Sequence, residues 1–372
     1  MKKAQLILLL LLFFWQYPYS VVGQSTFDSV DEWMSNHLED VGGRAVLLIY
    51  KDGKIVYSKS ANDMNKKQRR QYKWLGKRMG LLESQATADF NPDTYLPIAS
   101  CSKWLTAALF LTFVDQQKVA LDDSIGRYLP EMTKHGKGHI LLWQCLAHMT
   151  GIEESSLATG IREIRNSENM SQAVLNIATK NMEGTAGKSF HYGNTGLQLI
   201  AAVCEKLGGK PFENLFQERI VKPCEMQHTD FGNVTVPLAA GGAKSSANDY
   251  LKFLVMMLQN GTYNQQQVIH SEQIMELRTN RVYGKEQVKY APLEAGAWGY
   301  GFGSWVMDGS SGGKVSDLIS SPGLFGTFPW VDYKNNYCAI LVTFYLNNKG
   351  RHDKYSDLMK RVEAALASPS KN

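Results

Sequence analysis

The two kinds of periodicity in this chain are kept apart: strand patterns lie at both ends and helical patterns fill the middle. Ala45 to Tyr50 and Ile55 to Ser58 read as strands joined through Asp52-Gly53, a strong hairpin signal. The next strand patterns come only at Trp298 to Met307, Gly323 to Val331 and Tyr337 to Tyr345. Phe27, Val30, Trp33, Met34 and Leu38 recur at helical spacing, and a closing helix is expected from about His352 to Leu366. The outer segments should therefore build one mainly antiparallel sheet flanked by N- and C-terminal helices, with an inserted all-helical region, an α+β fold. The expected sheet region covers about 24–98 and 230–372 and the helical region about 99–229, all within a single domain over 24–372.

Residues 1–23 are expected to be an export signal. Lys2 and Lys3 precede an unbroken apolar run from Leu6 to Trp15. As a helix that run rises only about 15 Å, half of a bilayer core, too short for a transmembrane anchor. Val21 and Gly23 suit a cleavage site before Gln24. The expected location is periplasmic or secreted, with no stable membrane anchor.

The 372 residues are 44% hydrophobic and 20% charged, enough for a large core. The net charge of +5 falls to +3 once the two signal lysines are set aside, which gives no reason to expect a nucleic-acid partner. Asn62 to Met79 gathers Lys66, Lys67, Arg69, Arg70, Lys73, Lys77 and Arg78 around Trp74 and Leu75. It reads as a solvated loop or surface helix, with an anionic partner or membrane headgroups as the alternative. The five cysteines make no C-x-x-C pair and read as buried apolar residues with at most one or two bridges.

Chemistry is concentrated in short motifs. Ser100-Cys101-Ser102-Lys103 opens an apolar helix, expected over Lys103 to Gln116. Residues i and i+3 share a helix face, so the Lys103 amine can reach the Ser100 hydroxyl and serve as its base. The helix start also leaves N–H groups free to stabilise an oxyanion. The same S-x-x-K spacing at Ser311/Lys314 and Ser368/Lys371 lacks a following apolar helix. In Tyr192-Gly193-Asn194, a phenol near an ammonium group is easier to ionise and can relay a proton, while the asparagine amide can hold substrate or the lysine.

Pro97 to Lys103 resembles the nucleophile motif of the serine β-lactamase-related family, which includes class C β-lactamases, D-alanyl-D-alanine carboxypeptidases, esterases and acyltransferases. Leu146 to Ile152 resembles its L-x-T-H-T-S-G-L stretch, with Ala147 and Met149 departing from it. Tyr192-Gly193-Asn194 is similar to its Y-x-N, and Ala240 to Tyr250 to its A-G-G-x-x-S-T-A-x-D segment. Motif order over about residues 27–366 carries the resemblance. It implies a β-lactamase/transpeptidase-like fold, no cofactor, and catalysis by Ser100, Lys103 and Tyr192 with Asn194 binding substrate.

The family's third motif, K-T-G or H-x-G, is replaced by Ser321-Pro322-Gly323. Gly323 would let substrate approach the backbone, Leu324 would offer a second oxyanion N–H, and Ser321 stands where a cation would bind a carboxylate. Lys314, His191 and Arg351 are the candidates to replace that cation. A G-x-S-x-G elbow, a P-loop and paired-His metal patterns are missing from the sequence, so no metal is implied. His148 reads as structural, and Trp298, Tyr300, Phe302, Trp305 and Trp330 as pocket wall or core.

The resulting expectation is an exported serine acyl-enzyme hydrolase or acyltransferase, esterase-like, acting on a small-molecule ester, amide or peptide. The alternatives are a β-lactamase or D-alanyl-D-alanine carboxypeptidase, and a non-catalytic binding protein on the same fold.

Overall fold

A computed structural model describes residues 26–282, 287–347 and 349–367; the export signal read in residues 1–23 lies outside them. Strands β1 (Arg44–Lys51) and β2 (Lys54–Asn62) form the expected hairpin. Asp52 and Gly53 sit at φ +50° and +83°, the left-handed pair that a tight hairpin turn requires. Strands β3 (Gly299–Tyr300), β4 (Trp305–Val306), β5 (Leu318–Ser320), β6 (Phe328–Asp332) and β7 (Tyr337–Val342) come from the C-terminal third. Together they make a seven-stranded antiparallel sheet in the order β2-β1-β7-β6-β5-β4-β3, in which β1 and β7 join the two ends of the chain, with Leu47 opposite Leu341.

Two strand expectations need correction, and one strand goes beyond them. Trp298 to Met307 is a hairpin of two short strands, closed where the Gly301 N–H donates to the Ser304 carbonyl. Gly323 to Thr327 is a turn, and its strand starts only at Phe328. β5 was not anticipated, because three residues among serines carry too little periodicity to register.

Both faces of the central strands are covered. Ala45, Leu47 and Ile49 of β1 face α1 (Asp28–Asn36) and the C-terminal helix, against Trp33, Tyr355 and Leu358. Val46 and Leu48 point the other way, into the core shared with the helical layer. Double-sided burial explains why β1 is a continuous apolar run rather than an alternating one. The helices needed below are α2 (Lys66–Arg78), α3 (Ser102–Asp115), α4 (Leu157–Arg165), α5 (Thr195–Gly208), α6 (Ala247–Leu258) and α7 (Arg351–Ala367). Every residue of α3 from Ser102 to Phe113 is buried, so it runs through the core rather than along a surface.

The helical layer is wider than the expected 99–229 insertion. α6 comes from the stretch assigned to the sheet region yet packs on β1, β6 and β7. α2 is the surface helix that the basic stretch allowed. An Asn65/Gln68 capping box starts it, and Gln68 Nε2 donates to the Glu39 carbonyl at 2.9 Å. Its Tyr72 ring packs against the buried Arg44 guanidinium at 4.1 Å, with Phe90 stacked at the same distance. All five cysteines are buried and free.

Candidate active site

The chain approaches the site on the short Leu96–Pro97 strand, which pairs with Lys244–Ser245. Ala99 then takes φ +46°, a region an alanine rarely adopts, and the 3₁₀ turn Ala99–Cys101 lifts Ser100 to the start of α3. The segment 239–243 is fastened along the first turns of that helix. Thr106 Oγ1 donates to the Ala239 carbonyl at 2.7 Å, the Ala243 N–H donates to Ser102 Oγ at 3.0 Å, and Lys103 Nζ donates to the Ala240 carbonyl at 2.8 Å. Lys103 Nζ lies 3.2 Å from Ser100 Oγ.

Lys103 is 2% exposed, and burial lowers its pKa to about 7 although the Glu154 carboxylate pulls the other way. At neutral pH a large share of Lys103 is therefore the free amine, a base within reach of the serine. Tyr192 behaves oppositely to the expectation. Burial raises its pKa well above the ordinary value and outweighs Ser100, which pulls it down, so the phenol stays protonated. The Lys103 amine, 4.7 Å from the ring centre, does not make it acidic, because desolvation dominates. Its ring rests on His148 at 4.9 Å and Trp305 at 5.1 Å. His148 is buried, its Nε2 is 3.1 Å from the Tyr300 hydroxyl, and burial drives its pKa well down, so it is a neutral support for Tyr192.

Asn194 lines the cavity beside Ser100 and Lys103, at the N-cap of α5. The organiser of this corner is Glu154, which the motif reading did not single out. Its carboxylate accepts the Thr195 N–H at 3.0 Å and the Asn194 N–H at 3.3 Å, satisfying the free end of α5. A Cβ on Gly193 would come within 2.1 Å of that carboxylate, which explains the glycine between Tyr192 and Asn194. No local signal marks Glu154, because its partners lie about 40 residues away.

The third motif is rearranged. The Ser321 hydroxyl donates towards the Gly303 carbonyl at 2.9 Å, with the Ser100 carbonyl at 3.3 Å, and the side chain is buried away from the cavity. Ser321 thus braces the backbone beneath Ser100, where the expectation was a substrate ligand. Gly323 is needed for a reason inside the chain: a Cβ there would meet the Ile98 carbonyl oxygen at 2.4 Å. Leu324 lines the cavity. Among the described residues, neither the Ser100 nor the Leu324 N–H donates a backbone hydrogen bond.

The candidate replacements for the lost cation divide. Lys314 is exposed and off the cavity. His191 lines it but holds Glu183 at 2.5 Å. Arg351 also lines it, yet its guanidinium is committed to the Leu324, Tyr345 and Asn347 carbonyls and faces Glu294 at 3.4 Å. Arg78, Arg165 and Lys244, none of them singled out as substrate ligands, reach the cavity wall.

The cavity itself is about 670 Å³, with apolar walls from Trp74, Met79, Leu157, Ile161, Trp298 and Phe325. Of the aromatic group read from the sequence, Trp298 and Trp305 line it; Tyr300 and Phe302 are core, and Trp330 lies across the sheet in the other core. Among the described residues no three His, Cys, Asp or Glu side chains are grouped to hold a metal ion.

The sequence matches the Beta-lactamase family over residues 30–364. The chain belongs to that family. It is 22% identical over 281 residues to the Escherichia coli K12 D-alanyl-D-alanine-carboxypeptidase/endopeptidase AmpH, covering 68% of this chain and 71% of that one. A penicillin-binding protein homologue from Caulobacter crescentus superposes with a TM-score of 0.72 at 15% identity, over 92% of this chain and 98% of that chain. A family VIII carboxylesterase does so with a TM-score of 0.72 at 13% identity, over the same shares. The fold is that of β-lactamases and penicillin-binding proteins, and the protein is a serine hydrolase of this family.

Proposed function

We propose that this β-lactamase-family hydrolase is an esterase or acyltransferase that works through an acyl-enzyme on Ser100. The observation that carries the reading is the buried Lys103 amine, 3.2 Å from Ser100 Oγ and titrating near neutrality. Neutral Lys103 takes the Ser100 proton as the hydroxyl attacks a carbonyl. The Ser100 and Leu324 N–H groups hold the oxyanion, and the protonated Tyr192 phenol hands its proton to the leaving group, to be recharged from Lys103. Asn194 orients the substrate. Water or an acceptor alcohol then takes the acyl group. Export to the periplasm or beyond belongs to this proposal.

An ester is favoured over a β-lactam or a D-alanyl peptide by two features. Ser321 brings no positive charge to the strand, and much of the 670 Å³ cavity wall is apolar. The similarity to AmpH favours the peptidase as the second reading, with Arg78, Arg165 or Lys244 receiving the carboxylate. The deciding experiment is intact-mass detection of acyl adducts across p-nitrophenyl esters, nitrocefin and acyl-D-Ala-D-Ala peptides, with a fluorophosphonate as general serine probe. Adducts from esters that vanish in Ser100→Ala support the esterase. Fast nitrocefin or peptide turnover overturns the ester preference. No Ser100-dependent adduct with any probe would leave a non-catalytic binding protein.

A further inference from the structure

We propose that the basic face of α2 and the apolar rim beside it form a docking surface for an anionic phospholipid bilayer, with the cavity mouth turned towards the lipid. Within Lys66–Arg78 there are seven cationic residues and no acidic one. Lys66, Lys67, Arg69, Arg70, Lys73, Lys77 and Arg78 are all exposed. Of these only Lys73 has a carboxylate partner, Glu83 at 2.5 Å, among the described ion pairs. The opposite face, with Gln68, Tyr72, Leu75 and Gly76, is buried against the body, so the charges have one direction in which to point.

Charge alone would suit any polyanion. The bilayer is favoured because exposed apolar side chains line the same cavity as Trp74 and Arg78 of α2. Trp74 is 51% exposed, carries Arg78 over its ring at 4.4 Å, and lines the cavity mouth. Leu157, Leu324 and Leu346 line the mouth and are themselves substantially exposed. Leu293, 89% exposed, projects from a turn whose neighbours Pro292 and Glu294 line it too. Cations that snorkel to phosphates around an indole and several leucines that enter the acyl boundary make up an interfacial surface. A soluble polyanion leaves the leucines and Trp74 in water, where their exposure brings no gain.

Docked in this way the chain needs no spanning segment, and among the described residues no helix is long and apolar enough to cross a membrane. It also gives the apolar cavity a short path to acyl chains. The docking surface does not depend on the Ser100 chemistry.

The test is sedimentation of the purified protein with vesicles of phosphatidylcholine alone or containing about 30 mol% phosphatidylglycerol. At least tenfold stronger binding to the anionic vesicles is expected, falling steeply between about 0.1 and 0.5 M salt. Brominated lipid should quench part of the tryptophan emission, and that part should be lost in Trp74→Phe. Lys67→Glu/Arg70→Glu, two exposed positions away from the cavity wall, should cut vesicle binding at least tenfold. That variant should keep its thermal midpoint and its rate of Ser100 labelling by a soluble fluorophosphonate. Equal binding to neutral and anionic vesicles, or binding indifferent to the charge reversal, refutes the proposal. So does binding that a soluble polyanion matches without any Trp74 quenching. None of those results touches the serine reading, which stands or falls on the labelling.

Discussion

The lowered pKa of Lys103 leads to a quantitative expectation. An ordinary lysine of pKa 10.5 is a free amine in about one molecule in 3,000 at pH 7, whereas one titrating near 7 is free in about half, a gain of about 1,500-fold in available base. If Lys103 is the base, the second-order rate of Ser100 labelling by a fluorophosphonate should rise with pH and level off above the lysine pKa. Between pH 5 and pH 8 the increase should be about 90-fold, with a midpoint near 7. Lys103→Arg keeps the charge but can no longer surrender a proton, so it should lower the plateau by about 10³-fold. The Glu154 carboxylate raises the Lys103 pKa, so Glu154→Gln should move the midpoint to lower pH. Burial pushes the His148 pKa well below its ordinary value, away from a midpoint near 7, so it does not supply that midpoint. Stopped-flow or gel-based labelling from pH 5 to 9.5 measures the profile. A flat profile, or a midpoint above about 9, would refute a neutral-lysine base.

The same burial weakens the fold. Lys103 has a lower pKa folded than unfolded, so between about 7 and 10.5 the unfolded chain holds the extra proton and stability rises with pH across that window. Below 7 both states are protonated and the full penalty, about 5 kcal/mol, applies. Lys103→Met removes it but orphans the Ala240 carbonyl, so denaturant unfolding at pH 6 should show a net gain of about 2–4 kcal/mol, shrinking towards pH 10, with activity lost. If Tyr192 carries the proton as proposed, Tyr192→Phe should lower ester kcat/KM by about 10²–10³-fold while slow fluorophosphonate labelling persists. Gly323→Ala drives a Cβ into the Ile98 carbonyl, which as backbone cannot swing aside. It should cost about 1–3 kcal/mol by thermal melt and slow Ser100 labelling at least tenfold, as the Gly323 turn and the turn that carries Ser100 are pushed apart.

Local chemistry is what the linear order exposed well. The Asp52-Gly53 turn, the terminal helices and the Ser100/Lys103 pair each depend on neighbours within four residues, and each lies where its spacing placed it. Motif order across the chain carried the family, which the match over 30–364 shows. Short strands among glycines and serines, such as Leu318–Ser320, escaped because their pairing with β4 and β6 is what makes them strands.

Charge state and side-chain direction belonged to the tertiary structure alone. Desolvation is a property of everything packed around a group, so nothing near Lys103 or Tyr192 in sequence foretold that one would approach neutrality and the other hold its proton. Ser321 sits at its motif position, but only the nearness of Gly303 and Ser100 turned its hydroxyl into the backbone. Glu154 became the cap of α5 because folding carried it 40 residues along the chain to an unpaired helix end. The sequence by itself specified which groups could react; three-dimensional packing decided their protonation, their partners and the cavity they share, because burial and long-range contacts have no local spacing to read.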